Sequence, residues 1–285
     1  MDFYKDRNTK DNHITIVMKA IERLGLLKNY KQGQWGMLLC ERHDKAMIWG
    51  LYSKYKPNTL FRQTVYDTYS NVLAIELGYI HREKYYSMWW NEQGCRTTHP
   101  NIDCDSKRFE QLDIVLQAYQ PRDNGYILVC GQVPHDRQLH YLQSNYALWL
   151  LKLFHSIKKH TDREIIFRYH PKDKSKYNLP EYVVVDKKDL QHSIDGAHVV
   201  VAYNSTVLVE SVIRGCPIIC FDMMTPVYHL ADHTVNNIDN PHVPCDKERL
   251  QTLYNMSYNQ WTADEISNGL AIGWMLKLID NKTPP

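Results

Sequence analysis

Residues 197–222, AHVVVAYNSTVLVESVIRGCPIICFD, decide the fold. Val199, Val200, Val201 and Ala202 form an unbroken apolar run, the pattern of a strand buried on both faces. Tyr203-Asn204-Ser205-Thr206 turns the chain, and an amphipathic segment continues as a helix through Arg214. Gly215 stops that helix, Pro217 prevents its restart, and residues 218–221 make a second apolar run. Strand, helix and strand in this order predict a β-α-β unit of a parallel sheet. Ligands of such sheets bind beyond the carboxyl ends of the strands, beside helix N-termini. Here that place holds Asn204, Ser205 and Thr206. Hydroxyls and backbone N–H groups at the positive end of a helix predict an anion site, most simply for a phosphate.

The same alternation extends outward. Residues 126–130 (YILVC) read as a buried strand ending at Gly131, and QVPHD leads into a helix expected over 138–159. Residues 164–169 form the next strand, running into His170-Pro171, and 182–185 a third. A short helix over 189–195 then leads back to the opening unit. Helices are expected again over 247–258 and 263–279. Alternation this regular indicates a doubly wound α/β domain. The first 120 residues are less clear: a helix over 14–27, and strands over 36–40, 46–49 and 71–80. Glu76 lies near the end of the last strand, with Gly78 allowing close backbone approach. Pro121-Arg122-Asp123-Asn124-Gly125 breaks the chain, so residues 1–120 are expected as one lobe and 121–285 as another. The last helix is free to return to the first lobe.

Composition narrows the class. With 44% hydrophobic and 23% charged residues in 285, the chain is an ordinary soluble protein large enough for two cores. The N-terminus, MDFYKDRNTKDN, lacks a secretory apolar region. The longest strongly apolar segment, 147–154, contains Lys152 and is too short to span a bilayer. Seven cysteines without regular spacing suit a reducing cytoplasm. Residues 1–190 carry 29 Lys/Arg against 22 Asp/Glu, and residues 191–285 carry 5 against 10. That asymmetry points either to a polyanionic partner for the basic part or to an imbalance around one phosphate cleft. Twenty tyrosines and seven tryptophans exceed the needs of a core this size, so some are expected to face a ligand. Cys95, His99 and Cys104 lack a second close pair, and no metal site is expected. Neither a Walker sequence nor G-x-G-x-x-G is present.

Four segments, GQVPHD, FRYHPKD, AYNSTVLVESVIRGCPIICFD and TPVYHLADHT, together resemble successive motifs of the capsular-polysaccharide glycosyltransferases related to Kdo transferases. The matching positions are Gln132 and Asp136, His170 and Pro171, Ser205 and Thr206, Glu210, and Arg214-Gly215-Cys216-Pro217. AIELGYIHREKYYS is similar, more weakly, to that family's strand end at Glu76, Gly78 and Tyr79. The resemblance implies an α/β, GT-B-like enzyme with two Rossmann-like lobes and a cleft between them. It also implies a CMP- or UDP-linked sugar as co-substrate and no other cofactor. The donor side would comprise Gln132, Arg168, His170, Asn204, Ser205, Thr206 and Glu210. His170 would meet the phosphate or nucleotide, Ser205 and Thr206 the departing phosphate, and Glu210 the ribose hydroxyls. Glu76 and Asp136 are the candidate catalytic carboxylates, one as base towards the acceptor hydroxyl and one stabilising the oxocarbenium-like centre.

Each residue also has a structural reading. His170 before proline is a satisfied histidine, Ser205 and Thr206 cap a helix, and Glu210 lies on a solvated face. Asp136 caps the helix that follows it, Glu76 is a strand-end carboxylate, and Trp89 belongs to a core. For the acceptor, basic and aromatic residues interleave over 52–62 and 81–90, and Tyr55, Lys56, Arg82, Tyr85, Tyr86 and Trp89 are the candidates. Such a surface suits a phosphate backbone and a stacked base. In size and style the chain resembles the small cytoplasmic enzymes with which phages glycosylate or arabinosylate hydroxymethylcytosine in DNA, where the base is extruded into the site. The alternatives are a capsular or surface polysaccharide acceptor, and a non-catalytic nucleic-acid-binding module on a transferase scaffold.

Overall fold

The expected strand at 199–202 is found as Ala197–Ala202, all six residues buried. It belongs to a computed structural model that describes residues 2–5, 15–17, 19–20, 23–25, 30–32, 45–49, 64–91, 103–134, 139, 142 and 144–280. In chain order the strands are β1 (Asp2–Lys5), β2 (Tyr30–Gln32), β3 (Lys45–Trp49), β4 (Asn71–Leu77), β5 (Tyr85–Trp90) and β6 (Tyr126–Cys130). They continue as β7 (Ile165–Arg168), β8 (Val183–Val185), β9 (Ala197–Ala202), β10 (Ile218–Cys220) and β11 (Gln260–Thr262). The chain divides into two compact units, Met1–Arg108 with Tyr254–Pro285, and Phe109–Leu253. The Pro/Gly break at 121–125 predicts an edge at residue 120.

In the unit Phe109–Leu253 every strand pair is parallel, in the order β10-β9-β6-β7-β8. Numbered within the unit from the β8 edge, this is 3-2-1-4-5, the order of a mononucleotide-binding Rossmann sheet. The winding reverses between β6 and β9, so the crevice of the topological switch point lies at their carboxyl ends. Ile127, Val129, Val199 and Val201 join Leu150, Leu153, Phe154 and Ile157 in one core. Those last four come from one face of the helix Tyr146–His160. That helix begins eight residues later than its apolar pattern suggests, because the Asn145 side chain accepts from Ala147 N and Leu148 N and caps it there.

The helix Val207–Ile213 ends as expected at Gly215. Gly215 has φ +65°, and a Cβ there would lie 2.4 Å from the Ala118 carbonyl oxygen. Glycine therefore permits both the left-handed turn and the close approach of the 117–118 connector.

In the other unit the sheet order is β11-β5-β4-β3-β1-β2. β1 to β4 pair parallel, while β5 and β11 are antiparallel. β4 ends at Leu77, three residues early: Gly78 N donates to Tyr85 O at 2.9 Å, turning the chain into β5. Residues 85–90 are thus a strand, and five of its six residues are buried, Tyr85, Met88, Trp89 and Trp90 among them. The C-terminal segment completes this unit. Trp261, Ile266, Ala271, Ile272 and Met275 pack with Leu73, Ile75, Met88 and Trp90, and Trp90 Nε1 donates to Met275 O at 2.8 Å. The single helix expected over 263–279 is two, Ala263–Ser267 and Leu270–Asp280, separated by Gly269 at φ +85°. Among the described residues no helix is long and apolar enough to cross a membrane.

Candidate functional site

The carboxyl edge of the Rossmann-ordered sheet gathers most of the predicted donor residues. Gln132 follows β6, His170 follows β7, and Asn204, Ser205 and Thr206 follow β9. β6 lies between β7 and β9, so the His170 and Asn204 loops open on either side of Gln132, roughly 10 Å apart at two strand spacings. Gln132 and Asn204 are both buried and hydrogen-bonded to each other: Gln132 Nε2 donates to Asn204 Oδ1 at 2.7 Å, and Asn204 N to Gln132 Oε1 at 3.2 Å. Gln132 N donates to the Tyr146 hydroxyl at 2.8 Å. Burial pushes the Tyr146 phenol upward in pKa, more than the Gln132 N–H lowers it, so it stays neutral. Burial likewise pushes the nearby Cys130 thiol up to about 12, which removes it as a nucleophile.

Ser205 and Thr206 are partly exposed. Ser205 O accepts from Leu208 N at 3.1 Å and Ser205 Oγ from Val207 N at 3.4 Å, while Thr206 O accepts from Val209 N at 3.0 Å. The Thr206 side chain makes no capping bond to the helix, and the Ser205 bond is long. Glu210 lies in the first turn, partly exposed, on the helix that Ser205 and Thr206 open.

His170 is also partly exposed. Lys172 N donates to His170 Nδ1 at 3.1 Å, which makes Nδ1 an acceptor and places the ring proton on Nε2. The loop folds around Asp173: Asp173 N donates to His170 O at 2.8 Å, and its carboxylate accepts from Ser175 N at 2.9 Å and the Tyr177 hydroxyl at 2.8 Å. Burial and the Asp173 hydrogen bond push the Tyr177 phenol upward. Arg168 serves the next loop: Nη1 donates to Asp186 Oδ2 and to Lys188 O, both at 2.6 Å. Burial raises the Asp186 carboxyl, but hydrogen bonds from Ser193, Arg168 and Lys188 N outweigh it and hold its pKa below the ordinary value.

Beneath these loops lies an aromatic layer. Trp149 meets Tyr146, Tyr203 and Phe221 at 5.4–5.6 Å between ring centroids, and Tyr177 stacks on Tyr169 at 5.6 Å. This is where part of the tyrosine surplus goes: the rings seat the loops following β6, β7, β9 and β10 on one platform. Asp173, Tyr146 and Tyr177 were not singled out in the sequence. Asp173 carried a weak signal, an aspartate placed to accept from the backbone two residues on; the two tyrosines carried none.

In the other unit Glu76 is partly exposed near the end of β4, opposite Ser87 of β5. Arg82 is exposed in the turn between the two strands. Tyr86 is half-buried, its ring edge-on to Trp49 at 5.3 Å. Tyr85 and Trp89 are buried, and Trp89 packs edge-on against Tyr79 at 5.9 Å. Their rings are sheet packing rather than a surface for a stacked base, because β5 is an interior strand between β4 and β11. Asp136, Tyr55 and Lys56 lie outside the described residues, as do Cys95 and His99. Among the described residues no group of three or more His, Cys, Asp or Glu is placed to hold a metal.

No family model matches the sequence, and no curated protein does. The structure is similar to the beta Kdo 2,7 transferase KpsC of Thermosulfurimonas dismutans, with a TM-score of 0.54 at 18% identity, covering 95% of this chain and 99% of that one. It is similar also to the KpsC beta Kdo 2,4 transferase of the same organism, with a TM-score of 0.54 at 12% identity over 92% of each chain. At these identities the likeness is one of fold. The fold is α/β and GT-B-like, as the motifs implied.

Proposed function

We propose that the chain is a nucleotide-sugar-dependent glycosyltransferase whose unit Phe109–Leu253 holds the donor. What carries this reading is the position of His170 and of Ser205-Thr206 beside the switch point of a Rossmann-ordered sheet. The whole-length likeness of fold to two Kdo transferases supports it. His170 Nε2–H would donate to the donor phosphate, Ser205 and Thr206 would hold that phosphate as it leaves, and Glu210 would accept from ribose hydroxyls. The acceptor oxygen would attack the anomeric carbon while the bond to the phosphate oxygen breaks and the nucleotide departs with the electron pair. The hydroxyl proton would pass to a carboxylate, Glu76 or Asp136. The CMP- or UDP-linked sugar is the co-substrate, and the proposal needs no further cofactor.

For the acceptor, the fold likeness to Kdo transferases favours a capsular or surface glycan. The second reading, hydroxymethylcytosine in DNA, rests on the basic balance of residues 1–190, and it loses part of its support with the burial of Tyr85 and Trp89. Incubation with CMP- and UDP-sugars and either acceptor, followed by mass spectrometry, tests both. A sugar mass added to an oligosaccharide but not to DNA supports the first reading, and the reverse result supports the second. Donor turnover by wild type that persists unchanged in a folded His170→Ala variant would remove the phosphate role of His170.

A further inference from the structure

Gln132, Asn204 and Asp222 follow three neighbouring strands, β6, β9 and β10, and are only 5%, 3% and 3% exposed. Burying an amide costs free energy unless its hydrogen bonds are made, and burying a carboxylate costs more. To close this edge of the sheet alone, apolar side chains would suffice, as they do one layer down, where Val129, Val201 and Ile219 pack together. Instead a polar chain runs across the strand ends. Gln132 and Asn204 share the two hydrogen bonds described above, which leaves Asn204 Nδ2 to be placed. It donates to Asp222 Oδ1 at 3.3 Å, the same oxygen that accepts from Met224 N at 2.9 Å. Asp222 Oδ2 accepts from the Tyr203 hydroxyl at 3.5 Å. Both faces of the Asn204 amide are therefore specified. A flip would set Nδ2 against the Gln132 amide donor and Oδ1 against the carboxylate, two mismatches at once. A carboxylate enforces this best, because it only accepts.

From this geometry we infer that Asp222 is a positioning residue of the donor site: through Asn204 it fixes the backbone from which Ser205 and Thr206 project. The inference rests on the nucleotide-sugar reading above. Asn204 is held at its backbone N–H, its Oδ1 and its Nδ2, and the carbonyl of the preceding Tyr203 accepts from Phe221 N and Asp222 N, both at 3.1 Å. The loop is thus tied to β6 on one side and to the end of β10 on the other before any ligand arrives. Its two hydroxyls present a preset direction to an anion, the condition under which polar groups stabilise charge without reorganising. Gln132 and Asn204 accordingly serve the donor as a clasp and not as its direct ligands.

The test is calorimetric titration of CMP and of UDP into the full-length protein and its variants. Asp222→Ala is expected to weaken the affinity about tenfold, the scale of one lost hydrogen bond to a charged group, with near-ultraviolet circular dichroism unchanged. Asp222→Asn keeps an oxygen for Asn204 Nδ2 and Met224 N and should stay within about threefold of wild type. Asp222→Ala and Gln132→Ala should be non-additive, since both act through Asn204. Should Asp222→Ala not fold, Gln132→Met, which nearly keeps the volume, carries the same expectation. A purely structural role would lower the melting temperature and leave the affinity of the folded protein untouched. Wild-type binding with an equal affinity in the folded variants overturns this inference and leaves the nucleotide-sugar reading standing. Absence of binding of either nucleotide to the wild type overturns both.

Discussion

Gly215→Ala is expected to cost several times what Gly25→Ala costs, although both glycines are left-handed, at φ +65° and +62°. An alanine in that region is strained by about 1–2 kcal/mol, offset in part by about 0.4–1 kcal/mol from the stiffer unfolded chain. Around Gly25 an added Cβ meets none of the described residues within 4 Å, so its net cost is set by that balance. At Gly215 the Cβ would stand 2.4 Å from Ala118 O, 2.8 Å from Ala118 C and 3.0 Å from Gln117 O. All three are backbone atoms, so relief requires moving the 117–118 connector. That connector is fastened by Gln117 N to Ile213 O at 2.8 Å and by Arg249 Nη2 to Gln117 O at 2.8 Å. Losing both adds about 2 kcal/mol, for a total near 3 kcal/mol. In scanning calorimetry of the full chain this corresponds to a fall in Tm of about 6–12 °C for Gly215→Ala, against about 1–4 °C for Gly25→Ala. Equal falls for the two would refute the reasoning, because strain without close approach would then suffice.

Gln260 is wholly buried, and its Oε1 accepts from Tyr79 N at 2.5 Å and Ile80 N at 2.8 Å. Gln260→Leu should orphan both amides at a cost of about 2–4 kcal/mol, and hydrogen exchange of residues 78–84 should accelerate before that of β4. Unchanged exchange there would show that the clamp does not hold the turn after Glu76. Asp186 has a folded pKa below its unfolded value, so its contribution to stability is complete above the unfolded value of about 4 and is lost as pH falls through the lower folded value. Asp186→Asn should be less stable by roughly 1–3 kcal/mol at pH 7 and show a shallower decline of Tm below pH 4. Parallel acid limbs for the two proteins would count against it.

The fold of Phe109–Leu253 was legible because its signals are local. Five apolar runs, each punctuated by glycine, proline or a polar turn, fall within two residues of β6 to β10. Gly215 announces both the end of a helix and the backbone crowding behind it. The start of the helix Tyr146–His160 was not legible, since apolar periodicity continues upstream of Asn145 and only the cap geometry stops it. The two-helix tail turned on Gly269, a single residue in an otherwise uniform apolar segment. β11 could not be read at all. Its three residues pair with Tyr85, Tyr86 and Ser87, far away in sequence, and no periodicity over three positions distinguishes a strand from a turn.

The same distinction separates what could be read of the site from what could not. The sequence located His170, Ser205, Thr206 and Glu210 because a parallel sheet fixes where its strands end, whatever the side chains then do. It did not assign Gln132 and Asn204 their partners, because an amide that can donate and accept suits a ligand and a neighbouring amide equally well. Only the adjacency of β6 and β9, separated by some seventy residues of chain, makes them each other's partner. Aromatic residues obey the same logic. HREKYYSMWW reads as an exposed basic and aromatic surface when taken alone, yet an interior strand between β4 and β11 buries Tyr85 and Trp89. Local chemistry therefore placed these loops at the carboxyl edge of the sheet, and long-range pairing decided which of their polar and aromatic residues are taken up by the fold itself.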